Sequence, residues 1–436
     1  MPFLHVQTES LFNAARVPAR FSNAKRLTMG DVRSSRVLIA GTGPAGLATA
    51  LYLLRRRPDL KGQVIALERR RHPRPKVCAG GLIPKTMLAL EELDLPLDVP
   101  AVSVRRGMAI SEAGTVEYRD GSVLCTIVRR DEFDARLAHA ARAAGLEIIE
   151  DCRVEDVEAS GSSARVHSTS GDFEAELLVG ADGSGSRVRD TLFSRRQESV
   201  GRALMLDVPL PSARTADLAE TPYCFDFSCV GVGIRGYSWS FPCLIGGRPH
   251  LNVGIYDQCP RDAVEVGKPK AQLLDALAAS FPDLPIPTDH RGGYKAFPIR
   301  WYAPQQCFVL DRVLLAGDAA GVDPLMGEGI SYAFEHGKLA AQAADDFLAG
   351  KAGAIAAYDD ALHRGAVARK LRRLGFAARR FYGPRHRMYF RLAGLSRSVQ
   401  RIGIDWYNGV DHLDEASLPV LAVRLIKTVL FNASMG

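Results

Sequence analysis

The chain of 436 residues has no uninterrupted run of 18 apolar residues, so no membrane-spanning helix is expected. Its eight cysteines are scattered at positions 78, 125, 152, 224, 229, 243, 259 and 307, and no two form a Cys-x-x-Cys pair. That absence argues against zinc and against a disulfide framework, so no metal is expected, and it favours a reducing compartment, the cytoplasm. No secretory apolar segment is found near the N terminus. Acidic residues are missing from 361–404, which hold twelve Arg or Lys. Without those twelve cations the net charge of +7 becomes −5, so the positive charge is local. This is not the charge pattern of a nucleic-acid-binding protein. The rest is ordinary: 47% hydrophobic and 24% charged residues, in a chain long enough for two or three domains.

The most informative stretch is RVLIAGTGPAGLATALYLL, from Arg36. A short apolar strand ends at Ala40, and Gly41, Gly43 and Gly46 follow at GxGxxG spacing, with Pro44 and Ala45 between them and a helical pattern behind. Gly41 permits the tight turn, Gly43 lets backbone approach a pyrophosphate, and Gly46 lets helix and strand pack closely. The helix N-terminus offers unpaired N–H groups to phosphates. A second strand ends at Glu68, 22 residues beyond Gly46, where an acid is expected on the adenosine ribose.

A basic loop, RRRHPRPKVCAGGLIPKT, comes next. Arg69, Lys76 and Ala79 are candidate cofactor contacts, and the pair Gly80–Gly81 allows backbone to approach a flat ligand. Cys78 is either a proton donor or a small apolar residue. VRRDEFDARLAHAARAAG predicts a helix with Phe133, Leu137 and Ala140 on one face and Gly145 as its stop, with Arg130 at its start placed for a phosphate or ribose. ELLVGADGSGSRVRD predicts a strand that presents the Asp182 carboxylate and the Gly183 backbone to a cofactor. In GYSWSFP, alternation puts Tyr237, Trp239 and Phe241 on one strand face, either a core face or the wall of an apolar pocket, with Pro242 beside them.

DRVLLAGDAAGVDPLMGEGISYAFEHGKLAA carries the third motif. A strand leads to Gly317 and Asp318, whose carboxylate suits the hydroxyls of a sugar-alcohol chain. A loop with Pro324 follows, then Gly327, Glu328 and Gly329, with Ile330 next, open a helix whose N-terminus suits negative charge on a ligand. His336, within that helix, is expected to be structural. An adenine dinucleotide at one end and a charge-stabilising helix at the other describe FAD. No second dinucleotide fingerprint is present, so the electron donor is left as NAD(P)H or a ferredoxin-type protein.

The segment 361–404 interleaves its cations with Phe376, Phe381, Tyr382, Met388, Tyr389 and Phe390, and LPVLAVRLIKTVLF adds a final helix pattern. A basic face with apolar partners suits an anionic membrane surface; a solvated face on a packed tail is the alternative. At the other end, residues 1–30 hold four basic residues and one acid, and are expected to be a flexible extension, with an organellar leader as the alternative.

Together these motifs resemble the geranylgeranyl reductase family, FAD enzymes with the fold of p-hydroxybenzoate hydroxylase. The resemblance covers Arg36 to about Ala344 and rests chiefly on PKVCAGGLIP, GYSWSFP with NVGIY, and PLMGEGI. In the family pattern the cysteine is followed directly by Gly-Gly, whereas Ala79 intervenes here. The resemblance implies an α/β fold: a Rossmann-type FAD-binding domain (35–99, 124–190 and 297–350) with an inserted mixed β-sheet substrate domain (100–123 and 191–296). A basic helical C-terminal region (351–436) would follow, and a flexible extension (1–34) would precede. It also implies reduction of isolated C=C bonds in a polyprenyl substrate, with Cys78, Gly80 and Gly81 at the reacting centre; peripheral membrane contact through 361–431 is an expectation from that segment's own charge pattern, outside the resemblance. The first rival is a flavin monooxygenase or halogenase: YSWSFP is near the halogenase Trp-x-Trp-x-Ile-Pro motif, and Lys76 would serve as its lysine. A non-catalytic flavin-binding protein is a third class.

Overall fold

The computed structural model describes residues 32–395, apart from 120, 194–199, 211–217, 260–268 and 290–292, together with 400, 403 and 405. Nearly all of the N-terminal extension and the final helix pattern at 418–431 lie outside the described residues.

The strand Arg33–Ala40 sits inside a sheet ordered Val309–Leu310, Val313–Leu315, Gly171–Gly180, Arg33–Ala40, Val64–Leu67, Glu147–Ile149. From Val313–Leu315 to Glu147–Ile149 the neighbours run parallel, with Val37 opposite Leu177 on one side and Val64 on the other. A parallel sheet is covered on both faces, which is why its strands are apolar without interruption. Val37 to Ala40 are fully buried. Proline at the first turn starts the helix Pro44–Arg56, which packs against Ile330–Leu348. Their approach needs Gly337, where a Cβ would lie 2.9 Å from the Ala45 carbonyl oxygen. The helix Arg130–Ala144 ends at Gly145 in the left-handed conformation, as its sequence predicts.

A second sheet of seven strands is ordered Lys295–Arg300, Val200–Pro209, Arg248–Cys259, Gly236–Ile245, Tyr223–Asp226, Arg106–Ser111, Gly114–Arg119. The helix Lys270–Ser280 covers one face through Leu273, Leu274 and Leu277. The other face is aromatic and turns toward the three-stranded sheet Gly81–Leu82, Cys125–Val128, Ala101–Val104 that carries the basic loop. The sequence boundary at 296/297 therefore falls inside an edge strand of the second sheet. Helices Ala354–Arg364, Ala366–Phe381 and His386–Leu395 follow the parallel sheet, and no helix among the described residues is long and apolar enough to cross a membrane.

Candidate functional site

Four neighbouring parallel strands end at one edge of the first sheet, and the four loops leaving them carry Gly41, Glu68, Asp182 and Asp318. Crevices beyond the carboxyl ends of such strands are where α/β sheets bind ligands. Gly41 has φ +97°, and a Cβ there would stand 2.5 Å from the Ala181 carbonyl oxygen. Above Gly43 the space is open: the nearest atom to a Cβ would be Arg74 Nη2 at 3.9 Å. Glu68 is buried beside this turn, and its Oε2 accepts from Thr42 N at 3.2 Å and Thr42 Oγ1 at 2.7 Å. Arg74 Nε lies 3.1 Å from the same oxygen.

Arg74 also reaches Asp134 at 3.4 Å, and Asp134 grips Arg130 in a bidentate pair at 2.8 and 3.0 Å. Arg130 thus joins a buried carboxylate in its own helix, with the Cys78 side chain close enough to feel its charge. Thr42, Arg74 and Asp134 were not singled out from sequence. The i, i+4 spacing of Arg130 and Asp134 was the available signal for one of them. Arg69, in contrast, is solvent-exposed and stands outside this network.

Cys78 is half-buried and Gly80 N points at its sulfur at 3.4 Å. Gly80 has φ +79°, and a Cβ there would collide with the Val128 carbonyl oxygen at 1.9 Å. Lys76 Nζ lies 3.4 Å from the Phe297 ring centroid. Burial pushes its ammonium down to about 8, against the pull of Asp318.

Asp182 Oδ2 accepts from Arg187 N at 2.6 Å and Val188 N at 3.2 Å, so half of its carboxylate caps the short helix Arg187–Leu192. Its Oδ1 is buried with no partner, and burial raises the carboxyl pKa. Asp318 accepts from Ser184 Oγ at 3.1 Å, and its other oxygen lies 3.3 Å from where a Gly329 Cβ would be. His336 is buried behind this turn with Nδ1 accepting from Gly317 N at 3.1 Å, a structural role.

The loop 323–329 is held from several sides. Asp323 accepts from Leu325 N at 2.6 Å and Met326 N at 3.1 Å. Tyr237 donates to the Met326 carbonyl, Tyr382 to that of Leu325 at 2.6 Å, and Gln258 to that of Pro324 at 2.6 Å. Glu328 does not project outward: its carboxylate turns back to Ser331 N at 2.8 Å and Ser331 Oγ at 2.5 Å and caps the helix that Ile330 begins.

Tyr237, Trp239 and Phe241 share one face and are buried. Pro242 pairs with Leu251 and belongs by alternation to the opposite face, so it does not join them. The rings pack on other rings: Tyr237 lies 5.1 Å from Phe225, and Phe227 lies 5.3 Å from Phe390 of the C-terminal helices. Trp239 Nε1 donates to Asn252 Oδ1 at 2.9 Å, and Asn252 donates to Asp207 at 2.8 Å, which sets the indole plane. One apolar cluster joins these rings to Val77 and Ala79 of the cysteine loop and to Leu325 and Met326 of the 323–329 loop.

An open cradle over Gly43, an acid at the end of the second strand and an unpartnered Asp182 oxygen fit a bound dinucleotide. Residues 34–371 match the family described as FAD binding domain, and the chain belongs to that family. It is an FAD-dependent oxidoreductase with a p-hydroxybenzoate hydroxylase-like fold and a helical C-terminal segment. Within the family its sequence is similar to proteins named as geranylgeranyl and menaquinone reductases. It is 30% identical to the chloroplastic geranylgeranyl diphosphate reductase of Oryza sativa, over 71% of this chain and 66% of that one. It is 27% identical to the menaquinone reductase of Mycolicibacterium smegmatis, over 70% of this chain and 75% of that one. A geranylgeranyl bacteriochlorophyll reductase-like protein from Thermoplasma acidophilum superposes with a TM-score of 0.70 at 19% identity, covering 91% of this chain and all of the other. Oxygen-using enzymes share the fold too. The p-nitrophenol 4-monooxygenase of Pseudomonas putida has a TM-score of 0.64 at 18% identity, over 87% of this chain and 99% of that one.

Proposed function

We propose that the protein reduces isolated C=C bonds of a polyprenyl, geranylgeranyl-type lipid. The observation that carries this is the convergence of three segments, the Cys78–Gly81 loop, the 323–329 loop and the aromatic face of the second sheet, in one apolar cluster at the cofactor edge. An unactivated alkene offers no charge to grip, so it must be held by shape in a dry apolar site. Tyr237, Trp239 and Phe241 supply that surface. FAD, when bound and reduced, supplies the hydride. Gly41, Gly43, Pro44, Ala45 and Gly46 would receive its pyrophosphate and Glu68 with Thr42 its ribose. Asp182, Gly183, Gly317 and Asp318 would take its hydroxyl chain. The helix that opens at Gly329 and Ile330 would favour negative charge at the flavin end. Cys78, with the Gly80 amide on its sulfur and the Arg130 charge nearby, is the proposed proton donor to the second alkene carbon. The donor of electrons is NAD(P)H or a ferredoxin-type protein.

Lys76 is the observation that supports the rival, a monooxygenase or halogenase. Its ammonium sits on the Phe297 ring beside the cofactor edge, and burial pulls its pKa down to about 8. One experiment separates the two. The FAD-loaded protein is reduced anaerobically with dithionite and geranylgeranyl diphosphate or a polyprenyl lipid extract is added. Reoxidation of flavin without oxygen, with products heavier by one H2 per double bond, is the expected result. A flavin that stays reduced until oxygen enters, followed by a hydroxylated or halogenated product, replaces the reductase with the rival.

A further inference from the structure

We propose that the outer face of the helix Ala366–Phe381 is a docking surface for an anionic lipid bilayer. Arg369, Arg372, Phe376 and Arg379 are exposed, and their spacing of three, four and three residues places them along one stripe. The opposite side carries Val367, Leu371, Leu374 and Ala378, all buried. The helix is therefore amphipathic in an unusual sense. Its inner face is ordinary core, while its outer face mixes cations with a large apolar ring that remains 40% exposed. The Arg380 guanidinium lies 3.3 Å from the centroid of that ring, and the next helix adds Met388, 45% exposed.

Several of the cations on this side are uncompensated. Arg364 is paired with Asp360 and Arg387 with Glu112. Among the described residues, Arg372, Arg379, Arg380, Arg385 and Arg391 have no carboxylate within ion-pair distance. The surrounding segment of 44 residues, 361–404, supplies no acid of its own. A layer of lipid phosphates accepts all of these cations without requiring them to be in register. It also takes up projecting Phe376 and Met388 side chains among its acyl chains. A rigid acidic protein would need facing carboxylates and gains little from those two apolar groups.

The helix also sits over the candidate site. A Cβ at Gly375 would touch Pro324 Cγ at 3.5 Å, and Tyr382 just beyond the helix donates to the Leu325 carbonyl. A docked bilayer would lie about one helix diameter, ~10 Å, from the 323–329 loop. Docking on this face does not depend on which substrate is reduced.

The test is sedimentation of the full-length, FAD-loaded protein with vesicles of phosphatidylcholine alone and with vesicles rich in phosphatidylglycerol, neither containing isoprenoid. Pelleting with the anionic vesicles only, weakened by added salt, is expected. Each cation near an anionic surface contributes about fivefold to partitioning, so the Arg372→Gln/Arg379→Gln variant should partition about 25-fold less. An unchanged flavin absorbance confirms that this variant is folded. Wild-type protein that stays in the supernatant with both vesicles overturns the assignment, as does a variant that pellets like wild type. If that variant pellets normally and instead loses electron transfer from an acidic donor protein, the face belongs to the donor. Because no alkene is present, the outcome is independent of the reductase assignment.

Discussion

At the scale of single residues, the cofactor edge is built from carboxylates already tied to neighbours. Glu68 holds the first turn shut through Thr42 and balances Arg74, so it positions the turn as well as offering an oxygen to a ribose. Replacing Glu68 with Gln removes the charge and leaves Arg74 under-compensated. Hydrogen bonds to charged groups are worth about 1.5–3 kcal/mol, so FAD affinity should fall by about 10- to 100-fold. A fluorescence titration of the apoprotein measures it, and an unchanged affinity removes Glu68 from the site. His336 gives a pH signature. Burial pushes its imidazole down to about 4, whereas in the unfolded chain it titrates near 6.5. Below that value the unfolded state binds the extra proton, so His336 costs stability as pH falls from about 6.5 to about 4. Asp323 acts in the opposite direction. Burial raises its carboxyl from 3.8 to about 7, so the unfolded chain releases a proton that the folded one keeps, and stability falls as pH rises between those values. A His336→Gln variant keeps only the second effect. Its melting-temperature deficit against wild type should shrink between pH 7 and pH 4.5; a constant deficit would mean His336 is not held neutral.

At the scale of elements, the 323–329 loop depends on parts of the chain far away in sequence. Tyr237 comes from the second sheet, Gln258 from its neighbour strand and Tyr382 from the end of the C-terminal helix. The Tyr382→Phe change keeps the ring and removes one donor, leaving the Leu325 carbonyl without that partner at a cost of about 1–3 kcal/mol. The loop then loses definition while both sheets stay intact. FAD should dissociate severalfold faster, with an unchanged circular dichroism spectrum, in a stopped-flow release assay. Release at the wild-type rate would make the tail a bystander to the site. Strand periodicity decides another matter at this scale. Tyr237, Trp239 and Phe241 were legible as one face because the strand repeat is two residues, and the same repeat excludes Pro242 from it.

At the scale of the whole molecule, two sheets and a helical tail meet at one edge, and the cofactor is the group expected to bridge them. A ligand bound only by the folded state stabilises it by about 2.7 kcal/mol at a concentration 100 times its dissociation constant. For a protein of this length, with an unfolding entropy of about 2 cal/mol/K per residue, that is a shift of about 3 °C. Stripping FAD should lower the melting temperature by about that much, and adding it back should restore it in a scanning fluorimetry titration. A melting temperature indifferent to FAD contradicts a bridging role. The tail belongs to this scale too, since Ala378, Tyr382 and Phe390 complete the aromatic cluster that the second sheet begins.

The sequence by itself determined what depends on neighbours in the chain. The strand, the glycine turn and the helix behind it, the acid at the end of the next strand, the stop at Gly145 and the shared face of three aromatic residues are all set by local spacing and local backbone freedom. The paired motifs then described FAD, and family resemblance carried the class of oxidoreductase. Only the tertiary structure decided which polar groups are already engaged. Arg130 and Glu328 each read as groups turned toward a ligand, yet Arg130 is tied to a carboxylate in its own helix and Glu328 to Ser331 of the helix that follows it, because a buried charge near an apolar edge is stable only when paired. Arg69 sits in the right loop but points to solvent. Arg74, Asp134 and Tyr382 carry no motif, and they enter the site because folding brings segments from positions 68 to 382 within hydrogen-bond reach of one another. Spacing along a chain encodes faces and turns. Which side chains complete one another's charge and hydrogen bonding is a property of packing, and it becomes visible only when the sheets and the tail are assembled.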